Sequence, residues 1–412
     1  MLAQGYEWQV LPNAPVAARH DDVQFLDPFL GWVVNGSGEV HRTTDGGLSW
    51  ELQLQVTPYL RSLHFVDAAV GLVGTLEGAD LLYRTTNGGA SWTRIDSLLP
   101  VPRPQGICGL TGVGDHVFGC GRYFGGWPRF IHSPDRGATW TSVELVAYAR
   151  NVVDCWFVTP DSGFVVGGTP AGGEVKPLIL FTPDAGRTWQ TRYTGVDPGD
   201  YCWKIFFVTR QVGYVSIQGT AVLKTTDSGL TWVRKPVPGI DGIQGIGFAT
   251  EKLGWVDGFV GSSMMTTDGG DTWEPAVIGQ PDPAVDRFQM LSETLGYAAG
   301  TTIYKYLPAA AAVELAAAPR GPGLELMSHP NPTAARTTIT YLVPEGGPVK
   351  VRIYDVLGRQ IRTLRDRDQA AGANAVDWDV KDDGGRPVGA GIYLYRVDAG
   401  GRAESRRMLV VR

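Results

Sequence analysis

The chain has 412 residues, of which 43% are hydrophobic and 19% charged, so it carries enough apolar material for a core and is not of the disordered type. The net charge is −6, and residues 324–412 hold 14 Lys and Arg against 11 Asp and Glu, so the acidic excess precedes residue 324. An acidic main body argues against nucleic-acid binding. The sequence contains no run of about 18 apolar residues, so it does not predict a membrane-spanning helix.

An eight-residue box organises most of the chain before residue 307. It first reads TTDGGLSW and follows the pattern S/T-x-D/N-x-G-x-S/T-W. A repeat of about 40–50 residues that holds four short strands predicts one blade of a β-propeller. The six copies, with tryptophans 41 to 49 residues apart, are Thr43–Trp50, Thr85–Trp92, Ser133–Trp140, Thr182–Trp189, Thr225–Trp232 and Thr266–Trp273.

A second element precedes each box and indicates the number of blades. It begins with an aromatic residue and ends with a Gly-aromatic pair, as in the run from Phe25 to Trp32. A seventh copy, from Met290 to Tyr297, has no box and supplies three strands. The N-terminal run Tyr6–Val10 completes that blade as a fourth strand, which removes an open sheet edge. We therefore predict an all-β fold that begins with a seven-bladed propeller over residues 1–307.

The acidic or amide residue of each box is predicted to be structural. At this position an Asp or Asn side chain accepts hydrogen bonds from nearby backbone N–H groups, and Gly permits the positive φ that such a turn needs. Six copies in a circular array do not fit a single catalytic site. The residues concerned are Asp45, Asn87, Asp135, Asp184, Asp227 and Asp268.

The box resembles the Asp-box of sialidases and related propellers. The longer unit, roughly FxDxxxGWxVG followed by TTDGGxTW, is similar to the propeller family that includes the photosystem II stability and assembly factor. This resemblance covers about residues 6–306 and implies the propeller fold. One function that it implies is an assembly or scaffold factor, which would contact a membrane complex through an Arg-rich patch.

The positions of the four cysteines predict two disulfides. These disulfides would form only if the protein is exported to an oxidising compartment. Cys108 and Cys120 are equidistant from Gly114 in a Gly-rich turn, so a hairpin would place them opposite each other. Cys155 and Cys202 lie near the starts of corresponding strands in successive repeats. The alternative is four buried free thiols.

The chain changes character after the propeller. Residues 308–323 are rich in Ala and bracketed by Pro, which predicts a linker. Residues 324–412 contain alternating runs such as Val349–Tyr354 and Ile392–Val397. Several short strands of this kind predict a small Ig-like β-sandwich.

Parts of this C-terminal region resemble two known families. The runs His329–Pro332, Val351–Leu364 and Gly389–Val397 are similar to the C-terminal sorting domain of type IX secretion cargo and to the Ig-like domain of flagellar hook-capping proteins. The position after a complete propeller favours the sorting domain. That resemblance implies a secreted or outer-surface protein with the secretion machinery as a partner. The run Leu2–Gln4 resembles the end of a signal-peptide cleavage region, which fits export.

A catalytic set is not recognisable in the sequence, although sialidases and xyloglucanases share the box. For the arginine cluster of a sialidase the nearest candidate is Arg19. Asp21 and Asp22 lie early in the first blade, where they could face the channel as a glycosidase pair. The simpler interpretation of Asp21 and Asp22 is a polar turn before an inner strand. The six histidines lack metal-binding spacing, and no phosphate-binding loop precedes a helix, so we expect neither a metal nor a cofactor.

The loops opposite the boxes carry the best candidate for a binding surface. The loops between the second and third strands of blades three and four are longer than the rest, and aromatic and Arg side chains gather there and on neighbouring loops. The alternative is that these rings only cap the blade edges. The candidate residues are Arg122, Tyr123, Phe124, Trp127, Arg129, Tyr148, Arg150, Tyr193 and Tyr201.

Together these patterns favour an exported, non-catalytic propeller that binds a protein or a glycan and carries a C-terminal sorting tag. A sialidase- or xyloglucanase-like glycoside hydrolase that acts on extracellular glycans is the alternative.

Overall fold

The computed structural model describes residues 6–16, 18–121, 124, 127–259, 263–279, 283–308, 326–329, 333–343, 346–355, 359–400 and 402–411. Apart from a short 3-10 turn at Asp96–Leu98, the regular structure of these residues is β. The chain divides into two units, Met1–Leu307 and Pro308–Arg412. Residues 309–323 of the predicted linker lie outside the described residues.

Within the described residues, 28 strands of the first unit form seven four-stranded sheets. The N-terminal strand and the first three blades contain β1 (Tyr6–Val10), β2 (His20–Phe25), β3 (Gly31–Asn35), β4 (Glu39–Thr43), β5 (Glu51–Gln55), β6 (Leu60–Phe65), β7 (Gly71–Thr75), β8 (Leu82–Thr85), β9 (Thr93–Arg94), β10 (Gly109–Val113), β11 (His116–Gly121), β12 (Arg129–Ser133) and β13 (Thr141–Glu144).

The remaining four blades follow the same order. They contain β14 (Asn151–Phe157), β15 (Gly163–Gly168), β16 (Pro177–Thr182), β17 (Gln190–Thr194), β18 (Cys202–Phe207), β19 (Gly213–Ile217), β20 (Ala221–Thr225), β21 (Val233–Pro236), β22 (Ile243–Phe248), β23 (Gly254–Gly258), β24 (Ser263–Thr266), β25 (Glu274–Ala276), β26 (Arg287–Ser292), β27 (Leu295–Ala299) and β28 (Ile303–Pro308).

The seven sheets form a ring. Their first strands, β2, β6, β10, β14, β18, β22 and β26, each contact the first strand of both neighbouring blades, and β2 contacts β26. Each sheet is open, and the fourth strand of the seventh sheet is β1, hydrogen-bonded to β28. Tyr297 of the last blade stacks on Phe25 of the first blade with ring centroids 3.4 Å apart. The N-terminal strand and this stacked pair therefore join the two ends of the ring.

Aromatic stacking between blades explains the second sequence element. Trp32 of the first blade stacks on Phe65 of the second at 3.6 Å, and Tyr214 stacks on Phe248 of the next blade at 3.7 Å. The glycine before the second aromatic is required because the Phe ring lies directly over it. A Cβ atom on Gly71 would lie only 2.4 Å from the ring of Phe65.

The second unit is a β-sandwich. Its strands are β29 (Met327–His329), β30 (Thr337–Val343), β31 (Gly347–Asp355), β32 (Gln360–Gln369), β33 (Gly372–Trp378), β34 (Gly391–Ala399) and β35 (Arg402–Val410). One sheet has the order β29-β30-β33 and the other β32-β31-β34-β35, and both contribute to a single core that includes Ile339, Val351, Trp378 and Tyr395. The predicted all-β fold, a propeller followed by a small sandwich, is confirmed.

The two predicted disulfides are wrong. All four cysteines lie in described parts of the chain as buried thiols. The strand register of the hairpin in blade three is shifted by one residue from the expected register, so Cys120 pairs with Gly109 and not with Cys108. Neighbouring positions on a strand face opposite sides of the sheet, which separates the two thiols. Cys155 and Cys202 belong to the inner strands of different blades and pack in separate clusters.

Substitution of Gly71 tests the packing of ring on backbone. We expect Gly71→Ala to lower the free energy of unfolding by about 1–3 kcal/mol, because the added methyl group must displace the buried Phe65 ring. Denaturant unfolding of the full chain measures the effect. Gly173→Ala is the matched control, since a Cβ atom there has no neighbour within 4 Å. Equal stability of the two variants would contradict this explanation.

Candidate functional site

The strand connections define two faces of the propeller. Strands alternate in direction from the inner to the outer edge of each blade, so the boxes between third and fourth strands lie on one face. The boxes also join neighbouring blades there, because Lys305 Nζ of the seventh blade donates to the Gly46 carbonyl of the first box at 3.0 Å. We call the opposite side the loop face. It consists of the connections from second to third strands and from each blade to the next.

The hydrogen bonds of the boxes are internal to their turns. In the first box the Asp45 carboxylate accepts from the Thr43 hydroxyl at 2.8 Å and from the Ser49 backbone N–H at 2.9 Å. Hydrogen bonds from Thr231 lower the pKa of Asp227 to about 2. The corresponding bond from the backbone N–H four residues later is made to Asn87, Asp135, Asp184, Asp227 and Asp268.

A bulge at the start of the inner strand recurs in five blades. The strand register shifts there in blades one, two, four, five and six. A bulge leaves extra residues unpaired and re-aims their side chains. In this protein it places polar and charged groups among the inner strands. The unpaired residues are Asp21, Arg61, Val153, Trp203 with Lys204, and Gln244.

Asp286, immediately before β26, is the centre of a buried ion cluster. Its carboxylate accepts two bonds from the Arg61 guanidinium, at 2.5 and 3.2 Å, and one from the Trp203 indole N–H at 3.0 Å. Lys204 Nζ forms an ion pair with the same carboxylate at 3.0 Å. Burial alone would raise the pKa of Asp286, but Arg61, Lys204 and Arg19 hold that pKa well below its usual range.

Arg287 links the seventh blade to the first and fourth. Its Nε donates to the Asp22 carboxylate at 3.0 Å, and its two Nη atoms donate to the two oxygens of Asp154 at 3.1 Å. The Leu63 backbone N–H donates to Asp22 at 3.0 Å and brings the second blade into the same network. Burial raises the pKa of Asp22, and the Arg287 charge opposes that shift.

Arg19 is the partly exposed member of the cluster and lies at the loop face. Its side chain is 24% exposed, and it donates to Asp21 at 2.6 Å and to Gln244 at 3.0 Å. The Tyr59 hydroxyl donates to the other oxygen of Asp21. The guanidinium also lies 5.8 Å from the ring centroid of Phe259, a side chain that is 59% exposed. A cation and an exposed aromatic ring are therefore held together at this face.

The two glycosidase candidates do not form a reactive pair. Asp21 and Asp22 belong to β2 rather than to a turn before it, and both are buried with their carboxylates engaged by arginine, tyrosine or backbone donors. A glycosidase needs one proton-donating and one free carboxyl group that both reach the substrate. The cluster pairs four cations with four anions: Arg19, Arg61, Lys204 and Arg287 with Asp21, Asp22, Asp154 and Asp286.

Metal binding has no obvious donor set in the described part of the chain. There, no group of three or more His, Cys, Asp or Glu side chains is arranged to hold a metal ion. No helix in the described ranges has the length and apolar character needed to cross a bilayer.

Three of the predicted binding residues are exposed on the loop face. Trp127 is 58% exposed and Tyr148 is 38% exposed, and Arg150 is exposed as well. Trp127 lies between β11 and β12, and the other two lie between β13 and β14. The half-buried candidates are Phe124, Tyr193 and Tyr201.

Other predicted residues have a different environment. Arg129 is buried, and its guanidinium donates to Ser142 at 3.1 Å and to Glu144 at 3.3 Å, so it ties β12 to β13 instead of facing a ligand. Arg122 and Tyr123 lie outside the described residues.

Neither the ion cluster nor the exposed Phe259 was predicted from the sequence. A signal for the cluster exists in the repeat itself. The residue four places before the motif aromatic, or before Met290 in the last blade, is often charged or polar, as at Asp21, Arg61, Gln244 and Asp286. No comparable signal marks Phe259, because its exposure depends on the conformation of one loop.

The ring of seven blades and the internally bonded boxes define a seven-bladed propeller of the Asp-box class. The family model for the photosynthesis system II assembly factor YCF48 matches residues 2–112 and 132–239, just over half of the chain. The chain therefore belongs to the YCF48 family. A second model, for the FlgD Ig-like domain, matches residues 333–402 in the sandwich.

One curated relative is the photosystem II assembly lipoprotein Ycf48 of Synechococcus sp. (strain CC9902). It is 28% identical over 145 residues, which make up 34% of this chain and 40% of that protein. The chain thus matches less than half of the length of this relative.

Solved structures confirm the fold. YCF48 bound to D1 peptide has a TM-score of 0.57 and 19% identity, covering 74% of this chain and 98% of that chain. YCF48 from Cyanidioschyzon merolae has a TM-score of 0.57 and 18% identity, covering 73% and 98%. The GH74 xyloglucanase from Xanthomonas campestris has a TM-score of 0.53 and 14% identity, covering 97% and 75%. At these identities the likeness concerns the fold alone.

Removal of the central negative charge tests the ion cluster. We expect Asp286→Asn to lower the free energy of unfolding by about 3–5 kcal/mol, because Arg61 and Lys204 stay buried without their counter-charge. Denaturant unfolding of the full chain measures this loss. Asp271→Asn is the control, since it breaks the partly exposed pair with Lys235 and should cost no more than about 1 kcal/mol. A loss of the same small size at Asp286 would contradict a structural role for the cluster.

Proposed function

We propose that this protein is a protein-binding assembly module that holds its partner on the loop face of the propeller. The observation that carries the proposal is the exposed Trp127 side chain, presented by a strained backbone. The proposal rests further on the surrounding exposed groups, on the engaged state of the buried carboxylates and on membership in the YCF48 family.

Trp127 has a backbone φ of 78°, in the left-handed region that residues with a side chain rarely adopt. The residue is nevertheless 58% exposed, so burial of its side chain does not compensate for the strain. Strained backbone of this kind is concentrated at ligand-binding and recognition segments. A large exposed aromatic side chain is also the type of residue that anchors protein interfaces.

Further exposed groups on the loop face support a protein partner. Tyr148 and Arg150 come from the neighbouring connection, and Phe259 with Arg19 adds a ring and a cation in the sixth blade and at the start of the first. Interfaces are enriched in Tyr, Trp, Phe and Arg relative to the rest of a protein surface. The relative whose structure is solved as YCF48 bound to D1 peptide is a precedent for peptide recognition by a propeller of this family.

The hydrolase alternative receives less support. The buried Asp21 and Asp22 are held by Arg19, Tyr59 and Arg287, so neither is available as a nucleophile or a general acid without dismantling the cluster. The likeness to a xyloglucanase concerns only the fold. A glycan is the competing ligand for the same aromatic surface. The experiment below distinguishes a glycan ligand from a protein partner.

Site-specific photocrosslinking tests the proposal. A benzophenone amino acid is placed at Trp127 of the full chain, and at Leu230 in the fifth box as a matched control, because Leu230 is 60% exposed on the opposite face. In the native host, we expect the chain with the probe at position 127 to crosslink to one partner protein. The chain with the probe at position 230 should not crosslink to that protein. Retention of the wild-type chain on a glycan array, lost in Trp127→Ala, with no crosslinked protein, would instead indicate a glycan-binding module.

We also propose that the C-terminal unit directs export, so that the propeller works outside the cell. Support comes from the match of residues 333–402 to an Ig-like domain and from the motif resemblance to type IX sorting domains. The order along the chain, with this domain following the propeller, fits a sorting tag.

Mass spectrometry of the native protein tests the export proposal. We expect a species in the medium or on the cell surface that ends near residues 308–323, because a sorting tag is removed at the linker. An intact chain confined to the cell interior would exclude sorting, and the C-terminal unit would then be a permanent binding or assembly module.

A further inference from the structure

The seam between blades three and four brings two cysteine side chains face to face. Phe118 on β11 and Phe157 on β14 stack with ring centroids 3.6 Å apart and planes 3° from parallel. Cys120 lies two residues after Phe118, and Cys155 lies two residues before Phe157. Because residues two apart on a strand point to the same face, both thiols point into the seam that the stacked rings occupy.

The contacts of the two thiols agree with this register. Cys120 and Cys155 belong to the same buried cluster and are 1% and 2% exposed. The Cys155 thiol lies 3.9 Å from the Phe118 carbonyl oxygen, on the strand that carries Cys120. Burial acts together with the Cys155 thiol to raise the pKa of the Cys120 thiol, as expected for close neighbours. Strand β11 of the third blade and strand β14 of the fourth blade therefore place both thiols in one buried seam between the two blades.

We propose that Cys120 and Cys155 form an inter-blade disulfide when the protein meets an oxidising thiol–disulfide pool. The Cys120 thiolate attacks a low-molecular-weight disulfide such as oxidised glutathione and releases one glutathione thiolate. The Cys155 thiolate then attacks the Cys120 sulfur of the mixed disulfide and releases the second glutathione. Two protein thiols are oxidised, one small disulfide is reduced, and the released thiolates take up the two protons.

The step takes place most readily while the chain folds. Burial raises the pKa of the Cys120 thiol well above its ordinary value, which disfavours the attacking thiolate in the closed propeller. Folding in an oxidising compartment, or local opening of the seam, exposes the thiols before they are enclosed. Once formed, the disulfide fixes the boundary between the blades whose connections carry Trp127, Tyr148 and Arg150.

Cys108 is the competing thiol and defines the necessary control. It is fully buried and lies within electrostatic reach of Cys120. No Lys or Arg separates Cys108 from Cys120, so trypsin leaves both on one peptide. A second digestion with chymotrypsin, which cleaves after Phe118, assigns the linked sulfur.

Peptide mapping without reduction tests the proposal. The full chain is produced in the oxidising bacterial periplasm and, separately, in the reducing cytosol, and free thiols are alkylated under denaturing conditions. We expect a Cys120–Cys155 crosslinked peptide from the periplasmic protein and alkylation of both residues in the cytosolic protein. Complete alkylation of both residues in the periplasmic protein, or a Cys108–Cys155 link, would overturn the proposal.

Variants and heat stability provide a second measurement. Cys108→Ser and Cys202→Ser should keep the crosslink, whereas Cys155→Ser should lose it. Reductant should lower the Tm of the periplasmic wild type and leave that of Cys155→Ser unchanged. If Cys155→Ser fails to fold, the wild-type peptide map and the Cys108→Ser variant still decide the question. If reductant leaves the Tm of the periplasmic wild type unchanged and the crosslinked peptide is absent, the proposed disulfide is contradicted.

Discussion

The ion cluster around Asp286 and Arg287 is the constraint on which the closure of the ring depends. These two adjacent residues of the last blade bind Arg61, Asp22 and Asp154, which come from the second, first and fourth blades. A buried ion pair contributes little net stability compared with apolar packing, but an unpaired buried charge is strongly unfavourable. The cluster therefore penalises any arrangement in which the first and last blades are not correctly placed.

Around this centre the repeat supplies a second set of contacts, which are short-range and apolar. Among the described residues, aromatic rings of adjacent blades stack at five of the seven blade boundaries, and Gly71 and its equivalents let a Phe ring approach the backbone closely. The box turns are closed by their own Asp or Asn side chains, and Lys305 joins one box to the adjacent blade. These contacts recur around the ring, whereas the charged cluster occurs at its centre and breaks the symmetry of the repeat.

Loss of symmetry is also what distinguishes the loop face. The box face is constrained by six similar turns, so its side chains have little freedom to differ. The loop face carries connections of different length, and exposed groups such as Trp127 and Phe259 are presented there with support from the rigid blades beneath. Loops on a rigid scaffold are where recognition residues concentrate, because their sequence can vary without disturbing the core.

The sequence by itself determined the blade count, the closing strand, the positions of the box turns and the C-terminal sandwich, because all of these depend on local turn chemistry or strand alternation. Only the tertiary structure decided which charged residues meet. Arg19 and Arg61 pair with groups more than 200 residues away, Arg129 is buried against Glu144, and Cys120 packs in one cluster with Cys155 instead of facing Cys108. Such pairings depend on a bulge, on a one-residue register and on the contact between separate blades. The periodicity of a repeat contains none of this information, because it specifies each blade but not the geometry between blades.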